Sequence, residues 1–268
     1  MSTGTHEPLL VVRDLRVSYN RVVEAVKGVD LTVEPGSITG IVGGNGAGKT
    51  TTLTAIAGSL AGEMDITGGS IVFDGRRIER ERPDRVARLG IGLVPERKKI
   101  FANLKVDENL RASVSSREGA MSLAEAFDLF PSLANRRRLV AGYLSGGERQ
   151  MLAIAMALVG GPKLMLVDEM SLGLSPAVVQ DVGRVIRKLR DEADVSFLIV
   201  EQNAALALSL IDYGYVMQHG EIVLEGTRDQ LQADRSFRDV YLGLDVDART
   251  RNYRSATATA GAVEGADA

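Results

Sequence analysis

Apolar positions along this chain come in two rhythms: short runs closed by turn residues, and longer stretches of helical period. Residues 9–12, 16–19 and 29–33 predict short strands, and Pro35-Gly36 marks a turn before an apolar strand at 38–42. A helix-favouring segment follows at 51–60. A strand at 69–73 is closed by the hairpin-type pair Asp74-Gly75, and a brief buried-type strand at 91–94 ends at Pro95. From 106 to 144 the pattern is helical and polar, in three or four short segments. A helix over 147–159 stops at Gly160-Gly161-Pro162. The fully apolar run 164–167 is the kind found in a parallel sheet covered on both faces. An amphipathic helix over 176–192 carries Pro at its start, a buried strand follows at 197–200, and a helix at 204–211. Strands at 213–218 and 221–225 form a hairpin about His219-Gly220. Strands alternating with helices give an α/β sheet, with the early strands and the helical middle inserted around it. The first residues, 1–8, form a short polar extension without an apolar signal core. Past Leu244 the chain loses its apolar period, and 245–268 reads as a disordered tail.

Composition changes this picture little. The chain has 268 residues, 45% hydrophobic and 25% charged, as in ordinary soluble globular proteins. A net charge of −3 argues against a nucleic-acid-binding surface. There are no cysteines, so disulfides and thiolate metal sites are excluded. No run reaches the roughly 20 apolar residues that a membrane-crossing helix needs. The arginine-rich stretches at 76–77, 80–88 and 136–138 read as solvated faces.

The 29 glycines are more than average, and several fall where chemistry is expected. Gly43, Gly44, Asn45, Gly46, Ala47, Gly48, Lys49, Thr50 and Thr51 fit the phosphate-binding pattern G-x-x-x-x-G-K-[ST], between a predicted strand and a predicted helix. Glycines let successive backbone N–H groups face one concavity, and the helix N-terminus adds positive potential there. Lys49 is placed to reach the outer phosphates, and the Thr50 hydroxyl to ligate Mg²⁺. The chain is therefore expected to bind a nucleoside triphosphate.

A second element ends the strand at 164–167 with two carboxylates, Asp168 and Glu169, at the sheet edge where ligands bind. Asp168 would hold Mg²⁺ directly or through water, and Glu169 would polarise the water that attacks the γ-phosphate. A third element, Leu144-Ser145-Gly146-Gly147-Glu148 followed by Arg149-Gln150, opens a helix and offers a second anion-binding N-terminus. One subunit has no phosphate of its own to place there.

This L-S-G-G-E-x-Q run resembles the signature loop of ATP-binding cassette (ABC) ATPases, and the resemblance extends over residues 9–244. It implies a P-loop NTPase: a RecA-like α/β core, an antiparallel β subdomain and an α-helical subdomain near 100–150. In that family the signature loop contacts the ATP held by the opposite subunit. Tyr19 falls where the family sets an aromatic ring against adenine, the alternative being a strand residue packed in the core. Ser171-Leu172-Gly173-Leu174-Ser175 matches the loop that touches the partner subunit. Two positions depart from the commonest pattern. Pro95-Glu96 stands where Gln usually follows Pro, and Glu96 offers an oxygen suited to Mg²⁺ or its water. Gln202 stands at the usual switch histidine; its amide can donate to the γ-phosphate but cannot titrate near neutrality. The two histidines, His6 and His219, lie in the N-terminal extension and at a hairpin tip.

Glu96, the stretch 100–110, the loop 171–176 and Val200-Glu201-Gln202-Asn203 together resemble one branch: the shorter ATPase subunit of branched-chain amino acid importers, whose near relatives import urea or short amides. Gly44, Arg97 and Met170 differ from that branch's usual residues. The resemblance implies ATP and Mg²⁺ as cofactors, and a place at the cytoplasmic face of the membrane. It also implies partners: two permease subunits bound near Glu96 and Phe101, a second ATP-binding subunit and an extracytoplasmic solute-binding protein. Arg97-Lys98-Lys99 would then lie near the permease or the lipid headgroups. A non-transport ABC protein is the rival reading, which the single cassette and the lack of long inserts disfavour.

Overall fold

The computed structural model describes residues 7–96, 100–114 and 120–238. His6, Arg97-Lys98-Lys99 and the tail 245–268 lie outside the described residues, as does most of the extension 1–8.

The chain opens with β1 (Leu10–Tyr19) and β2 (Val23–Val33), then β3 (Ile38–Val42), α1 (Lys49–Ile56), β4 (Met64–Phe73) and β5 (Arg76–Arg77). It continues through α2 (Pro83–Leu89), β6 (Ile91–Val94), α3 (Val106–Ser113), α4 (Leu123–Leu129), α5 (Pro131–Ala134), a 3₁₀ turn at Ala141–Tyr143 and α6 (Gly146–Leu158). β7 (Leu164–Asp168), α7 (Pro176–Ala193), β8 (Ser196–Glu201), α8 (Ala204–Leu210), β9 (Tyr213–Gln218) and β10 (Glu221–Thr227) follow, then the short helices α9 (Arg228–Ala233) and α10 (Arg235–Phe237).

Two sheets result. An antiparallel sheet has the order β2-β1-β4-β5, and a larger mixed sheet the order β10-β9-β3-β8-β7-β6. The alternation inside the buried strands explains their unbroken apolar runs. Leu164 and Leu166 of β7, with Leu198 and Val200 of β8, pack in one core with α1 and the antiparallel sheet. Met165, Val167, Phe197 and Ile199, the intervening residues, pack in a second core with α6, α7 and α8. Each strand is thus apolar on both faces, because each face is covered.

The two hairpin turns are built as their sequences require. Asp74 and Gly75 have φ of 50° and 73°, and His219 and Gly220 have 49° and 90°. Both pairs fit the mirror-image turns that match strand twist. The arginine-rich stretches lie on the surface, in ion pairs such as Arg76–Glu81, Arg88–Asp84 and Arg136–Glu148. Pairs this exposed contribute little to stability.

The topology decides where chemistry can occur. β3, β8, β7 and β6 are mutually parallel neighbours, so their C-terminal ends share one edge. β3 ends at the glycine-rich loop, β7 at Asp168-Glu169, β8 at Glu201-Gln202, and β6 runs out to Pro95-Glu96.

Candidate active site

An open cleft of about 570 Å³ lies on that edge. It is lined by the glycine-rich loop and the start of α1 from Asn45 to Thr51, together with Ala25, Glu96, Glu169, Leu172 and Gln202. Five separate sequence elements therefore meet at one cavity.

The loop's shape comes from its glycines, for different reasons. Gly48 caps α1 in the left-handed region at φ 103°, where L residues are strained. Gly43 is needed for closeness: a Cβ there would stand 2.3 Å from the Met217 carbonyl oxygen on β9. At Gly44 a Cβ would meet nothing within 4 Å, so this position tolerates variation. A Gly43→Ala variant is expected to lose about 1–3 kcal/mol, because β9 and the loop must part to admit one methyl group. In a domain of this size that lowers Tm by roughly 2–12 °C. Calorimetry showing an unchanged Tm would contradict the close approach.

Lys49 is almost wholly buried, at 4% exposure. Its Nζ donates to the Gly44 carbonyl at 3.1 Å and pairs with Glu169 Oε1 at 3.4 Å. Thr50 Oγ1 donates to Asp168 Oδ1 at 3.1 Å. Burial pushes the Asp168 carboxyl up, against the Thr50 hydrogen bond; the charges of Glu169 and Glu96 push the same way as burial, and Lys49 opposes. Acidic side chains gathered around Asp168 in this way form a region that gains by receiving a divalent cation. Among the described residues no cluster of three acidic, His or Cys side chains could hold a metal by itself. The hydroxyl–carboxylate pair Thr50–Asp168 instead suits Mg²⁺, which keeps waters and phosphate oxygens among its ligands.

Glu169 sits at φ 43°, an uncommon left-handed conformation for a residue with a Cβ. Its N–H donates to the Val200 carbonyl at 2.9 Å, which turns the chain away from β7 and aims the side chain into the cleft. Gln202 is exposed and lines the same cleft.

The signature-like loop lies elsewhere. Leu144 is buried, Ser145 and Gly146 are exposed, and none of residues 144–148 lines the cleft. Ser145 caps α6: its Oγ accepts from the Glu148 N–H at 3.2 Å, and Glu148 Oε2 accepts from the Ser145 N–H at 2.9 Å. This capping box rigidifies the loop and leaves its outer face open. Gly147 is buried where a Cβ would press within 2.6 Å of Val178 Cγ1 on α7. Tyr19 ends β1 at 46% exposure, which excludes a core-packing role. It pairs with Val23, two residues from Ala25, so it stands beside the cleft and not in its lining.

Three residues of this region have no role assigned from sequence: Ala25 lies outside the motifs, and Leu172 and Glu201 lie inside motif runs that give them no part in the cleft. Ala25 and Leu172 line the cleft only because β2 and the loop after Glu169 are brought there by the fold. Glu201, 1% exposed, is an acid that follows the apolar run Phe197–Val200 at the end of β8. That placement, inside the quoted run Val200-Glu201-Gln202-Asn203, hints at a special role without naming it.

The sequence profile described as "ABC transporter" matches residues 26–171. The high-affinity branched-chain amino acid transport ATP-binding protein BraG of Pseudomonas aeruginosa is 38% identical over 229 residues, 84% of this chain and 96% of BraG. The lipopolysaccharide export system ATP-binding protein LptB of Escherichia coli K12 is 34% identical over 247 residues, 88% of this chain and 98% of LptB. The crystal structure of the ADP conformation of MJ1267, an ATP-binding cassette of an ABC transporter, superposes with a TM-score of 0.76 at 26% identity. That superposition covers 89% of this chain and all of that one. The cleft thus lies in a P-loop NTPase fold of the cassette type, at the sheet edge where such folds bind phosphates. This chain belongs to the ABC transporter family, and it is an ATPase whose hydrolysis is coupled to transport.

Proposed function

We propose that the chain is the ATP-hydrolysing subunit of an importer for branched-chain or related amino acids. The observation that carries this reading is the near full-length match to BraG. Glu96 and Gln202, both in the cleft, agree with the same branch. The match to LptB supports a second reading, export of a lipopolysaccharide-type lipid.

In the proposed reaction the N–H groups of residues 43–48 and the α1 N-terminus hold the triphosphate, and Lys49 moves from Glu169 to the outer phosphates. Thr50 and Asp168 would hold Mg²⁺, with Glu96 contributing an oxygen directly or through water. That ion would supply charge neutralisation at the β- and γ-phosphates. Glu169 takes the proton of the attacking water, and Gln202 donates its amide N–H to the γ-phosphate. Tyr19 flanks the cleft where the adenine ring would lie. The exposed Ser145 and Gly146, with Gly147, complete the site from a second ATP-binding subunit. Because ATP touches the second subunit only in the closed pair, its binding shifts the population toward closure.

Closure would be passed to two permease subunits at the surface around Glu96 and Phe101. That surface carries exposed apolar side chains: Phe101 is 54% exposed, Leu104 37% and Tyr143 80%. Its backbone is fixed by Asn109, whose Oδ1 accepts from the Phe101 N–H at 2.7 Å and whose Nδ2 donates to the Phe101 carbonyl at 3.0 Å. The complex would lie at the cytoplasmic face of the membrane and receive its solute from an extracytoplasmic binding protein. No described helix is long and apolar enough to cross a membrane.

The test is uptake of labelled leucine and urea in a strain lacking the gene. Leucine uptake is expected to fall severalfold and to return with the intact gene but not with Glu169→Gln. Loss of urea uptake alone selects the amide branch. Loss of neither, with a defect in the outer envelope, selects the lipid reading.

A further inference from the structure

We propose that Glu201 is a positioning residue: its carboxylate clamps the loop that carries Glu169 to the turn that carries Gln202. The proposal rests on the roles given to those two residues above. Glu201 is not part of the cleft lining, and it is 1% exposed. Its carboxylate is instead spent on the neighbouring loop. Oε1 accepts from the Ser171 N–H at 3.1 Å, and Oε2 accepts from the Ser171 hydroxyl at 2.8 Å. The Asn203 backbone N–H lies near the same carboxylate and favours its charged form. The main chain of Glu201 is tied as well, because its carbonyl accepts from the Gly43 N–H at 3.3 Å.

Glu169 therefore has a grip on each side. Its own N–H is held by the Val200 carbonyl, and Ser171, two residues later, is held by the Glu201 side chain. Both grips come from consecutive residues at the end of β8. A residue in a strained left-handed conformation persists only where its surroundings over-determine it, and these bonds supply that constraint at φ 43°. Gln202 follows Glu201 directly, so holding the Glu201 carboxylate on Ser171 and its carbonyl on Gly43 fixes the start of the turn that carries Gln202. One buried carboxylate thus joins the base, the loop Ser171-Leu172-Gly173 and the γ-phosphate donor. Burial pushes the Glu201 carboxyl up, and the Ser171 donors oppose that push. A buried acid is an expensive way to fasten a loop, which favours a role in positioning over packing.

The experiment uses the full chain, with steady-state phosphate release for turnover and mant-ATP fluorescence for binding. Glu201→Gln is expected to lower kcat about 10-fold while mant-ATP affinity stays within about twofold, since misplacing a reacting group affects the transition state and spares ground-state binding. Ser171→Ala, on the half-buried loop, removes one of the same bonds and is expected to act in the same direction. The double variant should be no slower than Glu201→Gln alone, because both changes release one contact. If Glu201→Gln does not fold, Ser171→Ala reads the clamp from the loop side. A kcat within about twofold of the parent in both variants, additive losses, or affinity falling in step with kcat would each overturn the proposal. Gln202→Ala is the separate control. Normal turnover there would remove Gln202 from the reaction, and slow turnover of Glu201→Gln beside it would still support a clamp acting through Glu169.

Discussion

Glu169→Gln is expected to hydrolyse ATP about 10²–10⁴ times more slowly while binding it at least as well. The change is nearly isosteric, so the packing around a side chain only 13% exposed should survive. What disappears is the negative charge and the basicity. A loss of that size corresponds to about 2.7–5.5 kcal/mol in the barrier. Binding should not suffer, because the carboxylate faces the phosphates as a like charge. Its removal also frees Lys49, whose Nζ now divides itself between Glu169 at 3.4 Å and the Gly44 carbonyl at 3.1 Å. The variant should therefore accumulate in the ATP-bound, paired form. Single-turnover phosphate release, mant-ATP titration and light scattering with and without ATP measure the three consequences. Turnover near that of the parent chain would place the base elsewhere.

How much of this was readable before the fold was known varies with the physics of each segment. β7 and β8 were legible because both faces are buried, so an unbroken apolar run names the strand and its end. The acids at that end then follow from the strand. β1 was harder. It reads as two short strands, 9–12 and 16–19, yet it is one strand interrupted at Asp14, which has φ 44° where the pairing with β2 shifts register. β2 reads as starting at 29 and begins at Val23, because Val23 and Glu24 are exposed and carry no apolar pattern. α2 was hidden by its arginines: Val86 alone is buried in seven residues, too little for a helical stripe. α9 begins with a capping box of Thr227 and Gln230, a start signal whose apolar face is Leu231 alone.

The site shows the same division. Residues whose chemistry is tied to a motif were legible: the phosphate loop, Asp168-Glu169, and Glu96 and Gln202 through their departures from the common pattern. Ala25 and Leu172 were not, because what places them is the approach of β2 and of the 171–175 loop, a matter of tertiary geometry. Glu201 was present in the quoted run Val200-Glu201-Gln202-Asn203 without a role, since sequence does not say that its carboxylate turns toward Ser171.

Lys49→Met is expected to weaken ATP binding by about 10²-fold, because charge-assisted hydrogen bonds to the phosphates are worth roughly 1.5–3 kcal/mol each and two phosphate groups lie within its reach. Methionine retains the apolar stem in a site that is 4% exposed, so the loop should keep its shape. The loss has a second source. Without the ammonium, Glu169 loses its ion-pair partner among the described residues, and the push that Glu169 and Glu96 exert on Asp168 is no longer opposed by Lys49. An anionic triphosphate then approaches a site of the same sign. Adding Glu169→Gln to Lys49→Met removes one of those charges, so the double variant should bind mant-ATP several times more tightly than Lys49→Met alone, though still more weakly than the parent. This recovery separates the two sources. A double variant that binds no better than Lys49→Met would mean that the lysine acts on the phosphates only, and that its pairing with Glu169 plays no part in preparing the cleft.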